Sequence, residues 1–295
     1  MIIFMKWLIK MDLQKVAVEI RDILEEKRKE LELTFIEDTH TYFMKDVDGV
    51  VKTNFPSVSK VLKKFYPEFP TEEAAEKKSK GDPVIKQQLI EEWAAAGDYS
   101  TNMGSRVHYE LEIETIKRHG IEKEVRQPLY ECDMEMIMKG DRMIKAGYRF
   151  LKLMEERGAV LLDTEIVLGD PELGYTGQPD KVWLMFNKQR TGFGIVITDW
   201  KTNKKKNMES NDYTKPMREP FKFLPNTALG HYNTQLPLYG KLLIKMLEGS
   251  KYENIPFYGC VIVHLTEEQE FTEYRVDRKV IDTILNMDIK ERLTK

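Results

Sequence analysis

The sequence predicts an α/β protein in which a mixed central β-sheet is flanked by helices, preceded by a mostly helical N-terminal elaboration. Three observations lead there. Two apolar runs, Val182 to Phe186 and Ile195 to Thr198, flank a polar, glycine-containing turn from Asn187 to Gly194, the pattern of a β-hairpin. Two more strand-like runs, Phe257 to Leu265 and Phe271 to Val276, read as a buried strand and its hairpin partner. Apolar residues recur at helical spacing outside these runs, so the order helix, strand, hairpin, helix, strand calls for helices packed on a sheet. A chain of 295 residues accommodates one large elaborated domain or two small ones. The expected boundary separates an N-terminal elaboration, 1–98, from a core, 99–295.

Hydrophobic residues make up 41% and charged residues 32% of the chain, which excludes a disordered or membrane-embedded protein. The formal charge of −3 gives no global nucleic-acid signal, so any such affinity has to come from a local basic patch. The two cysteines, Cys132 and Cys260, form no CxxC pair and suggest neither a zinc site nor a disulfide scaffold. A reducing, cytoplasmic setting is expected. The first eleven residues, MIIFMKWLIKM, are apolar but interrupted by Lys6 and Lys10. They are too short to span a bilayer and lack a small-residue cleavage site, so a packed terminal helix or strand is expected.

From Asp12, a plausible N-cap, to Leu33 the residues Leu13, Val16, Ala17, Ile20, Ile23 and Leu24 form one helical stripe. Thr34 to Val51 reads as a hairpin turning at Asp48 and Gly49. Ser57 is a candidate cap for a helix that buries Val58, Val61, Leu62 and Phe65. Thr71 to Gly97 divides at Gly81 to Pro83 into two helices, either a solvated pair or a clamp whose Trp93 or Tyr99 stacks on a base. After a loop at 98–102, a helix to His119 points Val107 and Leu111 inward and sets His108 one turn from Glu112 on the adjoining face. One or two helices follow in 121–157, with Met134, Ile137, Met138, Ile144, Tyr148, Phe150, Leu151 and Met154 as core. Val160 to Leu168 reads as a strand carrying Glu165.

Beyond the hairpin the lysines Lys204, Lys205 and Lys206 open a long polar connection to Thr227 that also holds Lys215, Arg218 and Lys222. Connections of that length are functional or disordered, and a basic one suits phosphate contacts. Tyr213, Phe221 and Phe223 are candidates to stack on unpaired bases. Gln235 and Tyr239 share a face of the next helix, capped at Asn233 or Thr234 because Pro237 is tolerated only in a first turn. Asp277 to Leu293 closes the chain as one amphipathic helix. His40, His119, His231 and His264 read as structural.

The chemistry concentrates at the open end of the central hairpin. With the turn centred near Arg190 and Thr191, Asp180 falls opposite Lys201 and diagonal to Asp199, within roughly 7–8 Å. Asp199 and Lys201 share a face and Trp200 points to the other. Two carboxylates can hold a hard divalent cation, and a nearby lysine can orient or deprotonate a water and balance charge on a phosphate. The alternative is a solvated strand end beside a turn.

Pro179 and Asp180, with Asp199, Trp200 and Lys201, resemble the active-site core of the PD-(D/E)XK nuclease superfamily. Gly104 to Glu112, GSRVHYELE, is similar to the GxxxHxxxE helix of its RecB-type exonuclease branch, which includes phage and mitochondrial genome maintenance exonucleases. Gln235 to Tyr239, QLPLY, resembles that branch's QxxxY helix. The resemblance implies a restriction-endonuclease-like core and a Mg²⁺- or Mn²⁺-dependent deoxyribonuclease acting on single- or double-stranded DNA ends, leaving 5′-phosphate and 3′-hydroxyl. It implies metal ligation by His108, Asp180 and Asp199, with the backbone carbonyl of Trp200 and with Glu165 as a candidate. Lys201 would activate water, and Gln235 and Tyr239 would hold the strand. Some relatives carry an iron–sulfur cluster on four cysteines, which this sequence does not supply. A structure-specific endonuclease, or a nuclease-like binding module without activity, remains open. The resemblance also fits a phage-encoded enzyme working in a host cytoplasm.

Overall fold

A computed structural model describes residues 2–37, 39–53, 55–125, 127–209 and 215–294. In chain order its elements are α1 (Ile2–Glu30), β1 (Thr34–Ile36), β2 (Thr41–Lys45), β3 (Val51–Lys52), α2 (Val58–Leu62), α3 (Thr71–Ser79), α4 (Pro83–His119), α5 (Met134–Glu156), β4 (Val160–Thr164), β5 (Leu168–Asp170), β6 (Tyr175–Gly177), β7 (Lys181–Phe186), β8 (Phe193–Lys201), α6 (Lys205–Glu209), α7 (Ala228–Met246), β9 (Phe257–Leu265), β10 (Phe271–Arg275), α8 (Arg278–Leu285) and α9 (Ile289–Thr294). The central sheet has the order β10-β9-β8-β7-β4. Its pairs are antiparallel except β8 with β9, which run parallel. The chain is therefore α/β with a mixed five-stranded sheet flanked by helices.

Strand alternation divides the core in two. Val182, Leu184, Ile195 and Ile197 face one layer, where α1, α2, α7 and α8 pack through residues such as Ile20, Val61, Leu238 and Ile281. Trp183 and Trp200 face the other, where α4 and α5 contribute Val107, Leu111, Phe150 and Met154. The functional end of β8 is thus held between helices on both sides.

Several local expectations change. The first helix begins ten residues before Asp12. The hairpin at 34–51 has three strands, because a second reversal before β2 puts His40 at φ +48°. Asp82 caps α4 by accepting from the amides of Val84 and Ile85, and the helix continues without a break through 98–102. It crosses the expected boundary at residue 98. Among the described residues of 121–157 one helix forms, within the one or two expected, but Met134 and Met138 lie exposed on it, because its apolar stripe runs through Met143, Ile144, Phe150, Leu151 and Met154 instead. Thr227 caps α7 by accepting the amide of Gly230, so Pro237 falls in the helix interior rather than its first turn. The closing helix splits into α8 and α9. Ser57 precedes α2 without a side-chain cap.

The connection after α6 is not a free loop where it is described. Met217 and Phe221 are buried, Phe221 stands edge-on to Phe65 at 4.9 Å, and the Arg218 amide donates to Phe65 O at 2.7 Å. His231 stacks on Tyr66 at 3.6 Å and bonds Asn226 at 2.6 Å, with burial pushing its pKa down to about 4. Phe221 is therefore core, not a base-stacking residue. Lys279 lies 4.0 Å over the Phe223 ring, and Tyr213 lies outside the described residues. Phe221→Ala should cost about 3–5 kcal/mol in urea unfolding, as for other buried phenylalanines. Unchanged stability with weakened DNA binding would instead return Phe221 to the surface role.

Candidate metal centre

The hairpin brings the two halves of the site together, in a register two positions from the expected one. Lys181 pairs with Thr198 and Val182 with Ile197, so the same register continued by one residue sets Asp180 against Asp199, not Lys201. The cause is the turn. Asn187 donates its amide to Gly192 O, and Arg190 adopts φ +58°, so the reversal is centred one residue earlier than expected. A slip of two preserves the face of every side chain, and Asp180, Asp199 and Lys201 still converge.

Asp180 is only 6% exposed and Asp199 3%. The Trp200 amide donates to Asp180 Oδ2 at 2.6 Å, while the Trp200 indole packs edge-on to Phe150 in the opposite layer. His108 Nδ1, projected from α4, lies 3.4 Å from Asp180 Oδ1. Asp199 holds the Nζ of Lys201, whose ammonium also sits 4.4 Å over the Tyr232 ring.

Glu165 enters the site through a break in the sheet edge. The expected strand 160–168 ends at Thr164, and Glu165 turns at φ +46° before β5 begins. Its amide donates to Asp180 O at 3.0 Å, alongside the Thr164 hydroxyl at 2.8 Å. Its carbonyl accepts from Lys123 Nζ at 2.9 Å and Gln178 Nε2 at 3.1 Å. Thus backbone hydrogen bonds fix an unusual conformation where a carboxylate is wanted. His108, Glu165 and Asp180 each offer a ligand atom, and all three atoms lie within 4.8 Å of one another.

These donors fit a hard divalent cation. An imidazole nitrogen and two carboxylates converge on a cleft of about 490 Å³ that is also lined by Gly104, Tyr109, Glu112 and Lys123. The charges there are unbalanced in the sense a cation would correct. Burial, then the charges of Asp180 and Glu112, push the Glu165 carboxyl well above its usual range. Burial also opposes ionisation of Asp180, but the His108 ring, Lys201 and Lys181 outweigh it and hold that carboxyl well below the usual range. Asp199 is raised by burial and by Asp180, against Lys201. For Lys201 burial favours loss of the proton, yet Asp199, Tyr232 and Asp180 hold its pKa above normal.

A search of protein-family models finds no match to the chain, and a search of curated proteins finds none either.

Of the other residues singled out from the sequence, Glu112 lies on the cleft, one turn from His108 and 3.8 Å from Lys123. Gln235 and Tyr239 bond each other at 3.1 Å on α7. Gly177 lets β6 pass close beside the Tyr239 ring and Val58, since a Cβ there would stand 2.7 Å from both. Gly104 similarly lets α4 meet the chain just after Lys201, where a Cβ would be 3.3 Å from Thr202 Oγ1. Lys204, Lys205, Lys206, Lys215 and Lys222 are exposed, Lys222 pairing with Glu219 at 3.1 Å. Arg218 donates to the carbonyls of Lys63 and Lys64 at 3.3 and 3.5 Å.

Sequence reasoning missed Lys123, Gln178, Lys181 and Tyr232, and it treated His40 as structural although it lines the cleft. Lys181 was legible in part. It follows Asp180, so it must face the opposite layer, where its Nζ lies 4.8 Å over the Trp200 ring with no hydrogen-bond partner among the described residues. Burial pushes its pKa down, opposed first by Asp180. Nothing local marks Lys123, which reaches the site from an irregular segment.

Glu165 is one of the groups that make stability depend on pH. A carboxyl raised on folding binds more protons in the native than in the unfolded state between its two pKa values, so stability falls as pH rises through that window. In EDTA, the advantage of Glu165→Gln over the unmodified protein in urea unfolding should therefore be larger at pH 8 than at pH 5. The His231 contribution has the opposite sign, lost as pH falls from its unfolded value toward 4, but both proteins share it and it cancels. Parallel pH profiles for the two would contradict the assignment of Glu165.

Proposed function

We propose that the protein is a divalent-metal-dependent deoxyribonuclease of the PD-(D/E)XK type with a restriction-endonuclease-like core, acting as an exonuclease of the RecB-type branch. The observation that carries this is the convergence of His108, Glu165 and Asp180 beside an Asp199–Lys201 ion pair at the end of one hairpin. Asp180, Asp199, His108 and Glu165 would hold Mg²⁺ or Mn²⁺, which when bound supplies Lewis-acid stabilisation of a phosphoryl oxygen and a more acidic water. The four motifs of the family occur in order along the chain, which supports the same reading.

The protein's own groups divide the remaining work. Lys201, fixed between Asp199 and Tyr232, keeps its proton and presents an ammonium that orients a water or offsets charge gathering on the phosphate. For Lys201 to take a proton from water, that Nζ must first release one. Trp200 donates its amide to Asp180 and fixes the carboxylate's orientation. His108 and Glu112, one turn apart on α4, carry the imidazole and a second acid to the same cleft. Gln235 and Tyr239, already bonded to each other, present a polar edge to a strand.

Lys201→Ala should lower cleavage of end-labelled linear DNA in Mg²⁺ by about 10²-fold or more in protein that circular dichroism shows still folded, with a lowered thermal unfolding midpoint because the buried Asp199 carboxylate loses its partner. Full activity in the variant would sink the assignment. Closed circular DNA should survive; its cleavage would move the reading to an endonuclease on the same core. No cleavage of single-stranded, double-stranded or circular DNA in Mg²⁺ or Mn²⁺ would leave a binding module.

A further inference from the structure

A second, narrower cleft of about 170 Å³ joins the first through shared walls at His40, Glu165 and Gln178. Its other walls are largely hydroxyl-bearing: Tyr42 from β2, Ser57 and Ser59 at the start of α2, and Tyr239 from α7. Of α2 and its N-cap residue, Ser57, Val58 and Ser59 line this cleft. The helix's buried side carries Val58, Val61 and Leu62, so the helical period places Ser59, Lys60, Lys63 and Lys64 together on the exposed side.

Arg218 joins that group from another part of the chain. Its guanidinium caps the carbonyls of Lys63 and Lys64, and its amide is anchored on Phe65 O. Lys60, Lys63 and Lys64, on or just beyond α2, and Arg218, bonded to its C-terminal end, thus group four exposed cations around a helix whose first residues line the cleft. Glu68 pairs with Lys63 at 2.8 Å, whereas Lys60 and Lys64 have no ion-pair partner among the described residues. In a chain of net charge −3 such a group is a local reversal of sign.

We propose that this group, Lys60, Lys63, Lys64 and Arg218, is a phosphate track that holds a nucleic-acid strand and feeds it through the hydroxyl-lined cleft toward Glu165 and Asp180. The partner that fits is a polyanion with regularly spaced phosphates, because discrete cations grouped together neutralise successive charges and release their counterions. Ser57, Ser59 and Tyr239 add neutral donors suited to phosphate or sugar oxygens between the cations and the carboxylates. The inference rests on the nuclease reading for what happens at the end of the track, and it assigns a role in binding to α2, which the sequence marked only for its buried face.

The test is fluorescence anisotropy of a fluorescein-labelled single-stranded oligonucleotide in EDTA, over a salt series, with the full chain. Neutralising two phosphate contacts in Lys60→Gln/Lys64→Gln should weaken binding about ten-fold near physiological salt and reduce the slope of log K against log salt by about 1.4. Lys152→Gln, an exposed lysine on α5 in a different part of the fold, should change neither. A parallel Mg²⁺ cleavage assay separates the two readings. If the unmodified protein cuts DNA but the double variant binds and cuts like it, the track is wrong and the nuclease reading stands. If the unmodified protein neither binds nor cuts, both fall.

Discussion

The Trp200 amide on the Asp180 carboxylate is the contact on which the site depends. It joins the end of β8 to the residue preceding β7, and so fixes Asp180 beside Asp199 with both carboxylates buried. Buried carboxylates are costly unless paired or hydrogen-bonded, and removing a partner leaves an uncompensated charge. Here the compensation is distributed. Asp199 has Lys201, Asp180 has an amide and the His108 ring, and Lys181 stands behind them on Trp200. A purely structural sheet end would place apolar or solvated residues here. This one concentrates charge and keeps it from water.

The rest of the fold serves that concentration. The two tryptophans of the hairpin, Trp183 and Trp200, lie in the layer covered by α4 and α5, which seats α4 against the sheet and brings His108 and Glu112 to the cleft. On the other face α7 delivers Tyr232 and Tyr239. The N-terminal strands and α2, far off in sequence, form the opposite wall through Phe35, His40, Tyr42 and Ser57. Phe35 and His40 thus line the same cleft as His108 and Glu112 of α4.

How much of this was legible in the sequence depended on the range of the interaction. The β7/β8 hairpin and the β9/β10 pair were readable because apolar alternation and a polar turn are local signals. The faces of Asp180, Asp199 and Lys201 were readable for the same reason, even though the turn geometry shifted the register by two. Glu165 was readable as a residue near the site but not as a break in the strand, since its conformation is imposed by the distant Asp180 carbonyl, Lys123 and Gln178. Phe221 misled because an aromatic between Pro220 and Lys222 in a polar, basic stretch looks exposed; only Phe65, brought across the fold, makes it core. Pro237 misled because Thr227 captures the Gly230 amide and starts α7 earlier than the proline allows in isolation. Lys123 and Tyr232 acquire meaning only from what they touch.

The cation proposed above would sit among His108, Glu165 and Asp180, whose ligand atoms converge, with Asp199 beside them. Anomalous diffraction from crystals grown with Mn²⁺ tests it most directly, because the metal reports its own position whatever the substrate. The expected result is a peak within coordination distance of an Asp180 carboxylate oxygen, about 2.0–2.2 Å for a small oxygen-seeking cation, with further ligands drawn from the other three residues. A fully occupied peak elsewhere, or none at saturating Mn²⁺ with the cleft open to solvent, would contradict it.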